Sequence, residues 1–123
     1  MKRALIIEDN EDNMELISFI LKKHGYETLK AETGMQGFEM ALQERPDFII
    51  LDIQLPDIDG YEVLQRIRNS EIKDNIPVIA MTSYAMTGDR EKLLAAGCNG
   101  YIEKPIDSRK VIDQIRIIIG EDL

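Results

Sequence analysis

The sequence predicts an α/β domain in which a parallel sheet is covered by helices on both faces. Three observations carry this reading. Short apolar runs alternate with amphipathic stretches along the whole chain. The connections between them are short and rich in turn residues. One run, Phe48-Ile49-Ile50-Leu51-Asp52, places four apolar residues in succession, as a strand buried on both faces requires, and then closes on a carboxylate. A charge within such a strand would be costly, so Asp52 belongs where the strand emerges. The next residues, Ile53-Gln54-Leu55-Pro56-Asp57-Ile58-Asp59-Gly60, form a loop of turn residues. In an open α/β sheet, the carboxyl end of a buried strand is where functional groups gather.

Composition narrows the function classes. The 123 residues suit one domain over 1–123, and no separate output domain is expected. A chain of this length buries about two-thirds of its unfolded surface and needs neither disulfides nor a structural metal. The single cysteine excludes an internal disulfide and fits a reducing compartment, so a cytoplasmic location is expected. Nothing approaches the roughly 20 apolar residues of a membrane span, and without a long apolar run near residue 1 export is not expected. A net charge of −8 argues against general binding to nucleic acid or anionic membranes. The densest acidic patch is Glu8-Asp9-Asn10-Glu11-Asp12.

The elements follow in order. Arg3-Ala4-Leu5-Ile6-Ile7 is the first strand, ending at Glu8-Asp9. Asn10 caps the first helix, and Glu11 and Asp12 suit its positive end. Met14, Ile17 and Leu21 share one helical face with Ile20 beside them, and Gly25 is the stop. Residues 26–31 form a weaker strand, with Glu27 and Lys30 marking an edge. Thr33 caps a second helix in which Phe38, Ala41 and Leu42 point inward; Pro46 closes the connection to the central strand. After Gly60, Val63, Leu64 and Ile67 recur at helical spacing. Residues 77–81 form a strand ending in the hydroxyls of Thr82 and Ser83. Residues 88–96 make a short helix with Leu93 and Leu94 inward and Gly97 as its stop. Tyr101-Ile102-Glu103 is the last strand, ending at Lys104-Pro105. Asp107 or Ser108 caps a final helix carrying Val111, Ile112, Ile115 and Ile118.

Right-handed crossovers between such elements force a doubly wound parallel sheet. The compact five-strand solution is the flavodoxin-like (βα)5 fold with strand order 2-1-3-4-5. Four strands then end on functional groups at one sheet edge: Glu8 and Asp9, Asp52, Thr82, and Lys104. Three clustered carboxylates would repel and raise one another's pKa, which a divalent cation relieves. Oxygen-only ligands favour Mg²⁺, which leaves positions open for phosphate oxygens.

These residues carry a resemblance. Ile6-Ile7-Glu8-Asp9-Asn10, the stretch Asp52 to Gly60, Thr82-Ser83 and Tyr101-Ile102-Glu103-Lys104-Pro105, in that order and each at a strand end, resemble the receiver domain of two-component response regulators. The resemblance covers nearly the whole chain and implies a set of roles. Asp52 would be the phosphoacceptor, taking a phosphoryl group from a histidine kinase or histidine phosphotransfer protein. Glu8 (through water), Asp9, Asp52 and the backbone carbonyl of Gln54 would hold Mg²⁺, with Lys104 as a second positive contact and a cis Lys104-Pro105 bond beside it. Thr82 and Tyr101 would be the switch pair, turning the fourth helix and last strand into a readout surface for a downstream protein partner. Gln54 and Tyr84 would border the path of hydrolytic water, and bulky Tyr84 implies a longer-lived phosphoryl state. The run Tyr84 to Arg90 resembles single-domain cell-cycle regulators and receivers of hybrid kinases. A monomer is expected, with a phosphorylation-linked dimer through the fourth-helix face as the alternative.

Two rival functions compete. A magnesium phosphohydrolase of the haloacid-dehalogenase type also uses a strand-end Asp, but wants a second acid where Gln54 stands. A binding module that kept only the fold would be expected to have lost Asp9, Asp52, Thr82 or Lys104. Other residues read as structural: His24 at a helix end, Cys98 without a partner, and Asp57-Ile58-Asp59-Gly60, whose calcium-loop pattern fails at Leu55 and Arg66. Gly34 and Gly37 lack a nucleotide-loop spacing. Met14 and Ile17 read as core, although one edge of their helix could dock a kinase or phosphotransfer helix.

Overall fold

The computed structural model describes residues 2–72, 75–83 and 87–120, the side chains of 87–89 excepted. Five strands and five helices alternate among them: β1 (Arg3–Ile7), α1 (Glu11–Lys23), β2 (Glu27–Ala31), α2 (Gly34–Glu44), β3 (Phe48–Asp52), α3 (Gly60–Arg68), β4 (Val78–Thr82), α4 (Thr87–Ala95), β5 (Gly100–Glu103) and α5 (Val111–Ile119). The strands form one sheet in the order β2-β1-β3-β4-β5, every pair parallel, as the sequence predicts.

Strand β3 organises the packing because its alternate side chains feed both faces. Phe48 and Ile50 join one apolar cluster with Ile17, Leu21 and Ile115, beneath α1 and α5. Ile49 and Leu51 join the other with Ala41, Leu64, Ile67 and Leu93, beneath α2, α3 and α4. Each fully buried Ile or Leu contributes about 1.5–3 kcal/mol. The ring of Tyr26 meets that of Phe48 edge-on at 5.6 Å, closing the first cluster beside β2.

Helix ends follow local chemistry. Asn10 Oδ1 accepts from the Asn13 amide at 2.9 Å, and Thr33 Oγ1 accepts from Gln36 at 3.1 Å. Asp59 does the same for α3, accepting from Glu62 at 2.9 Å. Arg45 adopts a left-handed φ of 48° at the end of α2. It precedes Pro46, and a residue before proline is disfavoured in the right-handed helical region. At the far end of the sheet Arg68 ties three elements together, donating to the carbonyls of Gly97 and Ile76 and to Asn99 Oδ1.

Three expectations need correction. Leu93 is fully buried but Leu94 is 50% exposed, since one residue turns a helix through about 100° and a helix touching the sheet along one line cannot bury both. The last helix starts at Val111, with Lys110 as an N-cap that makes no side-chain capping bond. Asp107 acts one turn earlier: its carboxylate accepts from the Arg109 amide, and its carbonyl accepts from the Lys110 and Val111 amides. Phe38 and Leu42 are half-buried at the margin of their cluster rather than within it.

Candidate functional site: a carboxylate and lysine cluster at the sheet edge

Strand register sets the site. Ile7 pairs with Leu51, so the next residues, Glu8 and Asp52, leave adjacent strands at the same level. Asp52 in turn pairs with Met81, and Thr82 with Glu103, which brings the tips of β4 and β5 alongside. Glu8, Asp52 and Thr82 are all buried, at 1%, 2% and 5% exposure, whereas Asp9 is exposed. The amide of Lys104 donates to the Thr82 carbonyl at 2.9 Å, fixing its backbone to the tip of β4. Its ammonium then reaches across the sheet edge, with Nζ 3.2 Å from Glu8 Oε1 and 3.2 Å from Asp52 Oδ1.

The loop after β3 is pinned at both ends. The Gln54 amide donates to Asp52 Oδ1 at 3.0 Å, turning the chain back over the carboxylate. The Gly60 amide donates to the Ile53 carbonyl at 2.8 Å. A Cβ on Gly60 would lie 2.5 Å from Ile53 Cα and 2.7 Å from the Asp52 carbonyl, so α3 can start this close to the strand tip only with glycine there. Between these points Asp57 reaches away to α2, its two carboxylate oxygens accepting from the Gly34 and Met35 amides at 2.8 and 2.9 Å. Those backbone bonds, Met35 first, hold its carboxyl below the usual range.

Charge is out of balance in the cluster. Burial, then a shared hydrogen bond and repulsion with Asp52, push the Glu8 carboxyl up to about 7, and Lys104 only partly opposes this. Burial also works against the Lys104 ammonium, but the charges of Asp52 and Glu8 outweigh it and raise its pKa. One oxygen of each of Glu8, Asp9 and Asp52 lies within 4.8 Å of the others. Glu8 Oε1 is buried and lacks a well-formed hydrogen bond among the described residues, although the Lys104 ammonium lies 3.2 Å from it. Three carboxylates, one with an unsatisfied buried oxygen, fit a hard divalent cation well.

The acid–lysine cluster thus unites Glu8, Asp9, Asp52 and Lys104 at one point, with Thr82 at the neighbouring strand tip and Gln54 bonded to Asp52. Tyr101 pairs with Ala80, two residues before Thr82. Side chains alternate along a strand, so Tyr101 and Thr82 lie on the same face of the sheet as diagonal neighbours. The Lys104-Pro105 bond is cis. Tyr84 lies outside the described residues. Asp57 carries no sequence signal of its anchoring role, because its partners are 22 and 23 residues away.

The model of the response regulator receiver domain matches residues 4–116. The chain belongs to this family. Among curated relatives, the polar-differentiation response regulator DivK of Brucella anthropi is 40% identical over 120 residues, covering 98% of each chain. Among solved structures, the receiver domain of a sensor histidine kinase from Pseudomonas aeruginosa, with a magnesium ion coordinated in its active-site cleft, is 35% identical with a TM-score of 0.87, covering 98% of each chain. The chemotaxis response regulator CheY4 of Vibrio cholerae shares the receiver fold at 23% identity, with a TM-score of 0.91 over 96% of this chain and 98% of that one. This receiver presents its acidic cluster at the carboxyl edge of the sheet. No helix among the described residues is long and apolar enough to cross a membrane.

The raised Glu8 pKa has a consequence for stability. A carboxyl whose folded pKa lies above its unfolded value binds more protons when folded, so its stabilisation is full below about 4.5 and lost as pH rises toward about 7. In divalent-free buffer this receiver is therefore expected to lose up to about 3 kcal/mol between those pH values from Glu8 alone. Glu8→Gln should flatten that slope. Urea unfolding at stepped pH measures it, and an equal slope in both proteins would show that Glu8 does not titrate in this window.

Proposed function

We propose that this receiver takes a phosphoryl group onto Asp52 from the phosphohistidine of a histidine kinase or histidine phosphotransfer protein. The observation that carries the proposal is the Asp52 carboxylate at the tip of a buried strand, 3.2 Å from the Lys104 ammonium and within a cluster of acids. A carboxylate oxygen of Asp52 attacks phosphorus, the phosphorus–nitrogen bond breaks, and the imidazole leaves with the electron pair, giving an acyl phosphate. Lys104, held between Glu8 and Asp52, supplies positive charge where the phosphoryl oxygens arrive. Glu8, Asp9, Asp52 and the Gln54 carbonyl would hold Mg²⁺, whose chemistry is neutralisation of charge on the transferring group. The magnesium ion in the Pseudomonas relative supports that assignment.

The donor approaches over α1, which starts beside the acids and exposes Phe19 (65%) and Leu16 (36%) on its outer face. At the β5 edge of the sheet, α4, β5 and α5 line an open groove of about 310 Å³ that includes Leu94, Tyr101 and Ile117, and this receives the downstream protein partner. Phosphorylation draws the Thr82 hydroxyl toward the new oxygens, and Tyr101 turns into the space left on the same sheet face. Tyr101→Ala is expected to keep phosphorylation within about twofold of wild type while weakening partner binding about tenfold, a change of ~1.4 kcal/mol. Loss of phosphorylation itself would show that Tyr101 serves the chemistry rather than the switch.

Intact mass after incubation with a small acyl-phosphate donor tests the proposal. A gain of one phosphoryl group that requires Mg²⁺ and is absent from Asp52→Asn is expected. Steady multiple-turnover release of inorganic phosphate with no adduct trapped would favour a phosphohydrolase instead.

A further inference from the structure

Tyr101 is held from outside its own strand. The guanidinium of Arg90, on α4, lies over its ring with Cζ 5.3 Å from the centroid. The same guanidinium is paired with Glu103, Nη2 to Oε1, at 3.2 Å. Tyr101 and Glu103 are two residues apart on β5 and therefore on one face, and Glu103 is the register partner of Thr82. One cation thus pins to α4 both side chains that flank Thr82 on that face. The ring it covers is half-buried, packed at the margin of the apolar cluster beneath α2, α3 and α4, and lines the groove between α4 and α5.

Helix α4 shows few other anchors among the described side chains. Leu93 is its fully buried side chain among those described, while Arg90, Glu91, Lys92, Leu94 and Ala95 are exposed. A second cation–ring contact, Lys92 Nζ 4.4 Å above Tyr61, ties it to α3. With one fully buried side chain among those described and cations on tyrosine faces, the helix is weakly held, so loss of one fastener changes its equilibrium measurably.

We infer that Arg90 is a positioning residue for the Tyr101 switch, holding the ring where it lies beneath the guanidinium and so setting how readily the α4–β5 face responds. This rests on the Thr82–Tyr101 reading above. Both Arg90 contacts are half-exposed, which limits their combined bias to about fivefold, or ~1 kcal/mol.

The experiment is tyrosine-ring NMR on the full chain, free and titrated with beryllofluoride in the presence of Mg²⁺, with Tyr101 assigned by Tyr101→Phe. In Arg90→Ala the free-protein Tyr101 signal is expected to move toward its beryllofluoride-bound position, with the titration midpoint falling about fivefold. Arg90→Lys, which keeps charge but loses the planar stack, should fall between. Glu103→Gln should shift in the same direction by less, and it carries the test if Arg90→Ala fails to fold. A Tyr101 signal and midpoint in these variants within twofold of wild type would overturn the role of Arg90 while leaving the switch reading intact. A wild-type Tyr101 signal that ignores bound beryllofluoride would instead overturn the switch reading, and this inference with it.

Discussion

Lys104→Met is expected to lower stability at pH 7 by about 3–5 kcal/mol in divalent-free buffer. The lysine is the cation nearest two buried carboxylates, at 3.2 Å from each, and it is only 16% exposed in its side chain. Methionine fills similar space but leaves Glu8 and Asp52 facing each other without a counter-charge. Burial and Asp52 already push Glu8 up to about 7 with the lysine present, so without it Glu8 must bind a proton near neutrality. The loss should therefore shrink as pH falls toward 5, and added Mg²⁺ should restore part of it. Urea unfolding with and without Mg²⁺ measures both. A loss below about 1 kcal/mol would mean that the pair behaves as a surface ion pair, contrary to its burial.

Asp52→Asn is expected to act in two opposite directions. It should abolish the phosphoryl adduct, because an amide offers no anionic oxygen for attack. It should also raise divalent-free stability at neutral pH by about 1–2 kcal/mol, because it removes the charge repulsion that now opposes ionisation of Glu8. The Asp52 oxygen that accepts from the Gln54 amide can be replaced by the asparagine carbonyl, so the loop after β3 should keep its form. Mass spectrometry and urea unfolding read the two effects separately. An adduct that persists in Asp52→Asn would place the acceptor elsewhere.

Why Asp52, Glu8, Asp9 and Lys104 were legible in the sequence is a matter of topology. Each ends or follows a short apolar run, and once the runs are strands of a 2-1-3-4-5 sheet, their ends must meet at one edge. The helix stops and caps that depend on adjacent residues, Asn10, Thr33 and Gly25, were legible for the same local reason. What escaped depends on distance or rotation. Asp57 bonds to amides far away in the chain, and its neighbours pointed only to a turn. Asp107 has the chemistry of a helix cap but spends it on a preceding turn, because Lys110 already has helical backbone angles. Leu94 and the Arg90–Tyr101 stack both hinge on how α4 is rotated about its axis, and its sequence lacks the broad apolar stripe that would set that rotation.

Borohydride reduction identifies the acceptor residue without relying on a variant. An aspartyl phosphate is an activated acyl group that borohydride converts to homoserine, leaving a permanent mark at the acceptor. After incubation with an acyl-phosphate donor and Mg²⁺, reduction and proteolysis, peptide mass spectrometry should find homoserine at position 52. Omitting Mg²⁺ should remove it. Homoserine at Asp9, Asp57 or another carboxylate, with Asp52 unmodified, would contradict the assignment of Asp52 as phosphoacceptor.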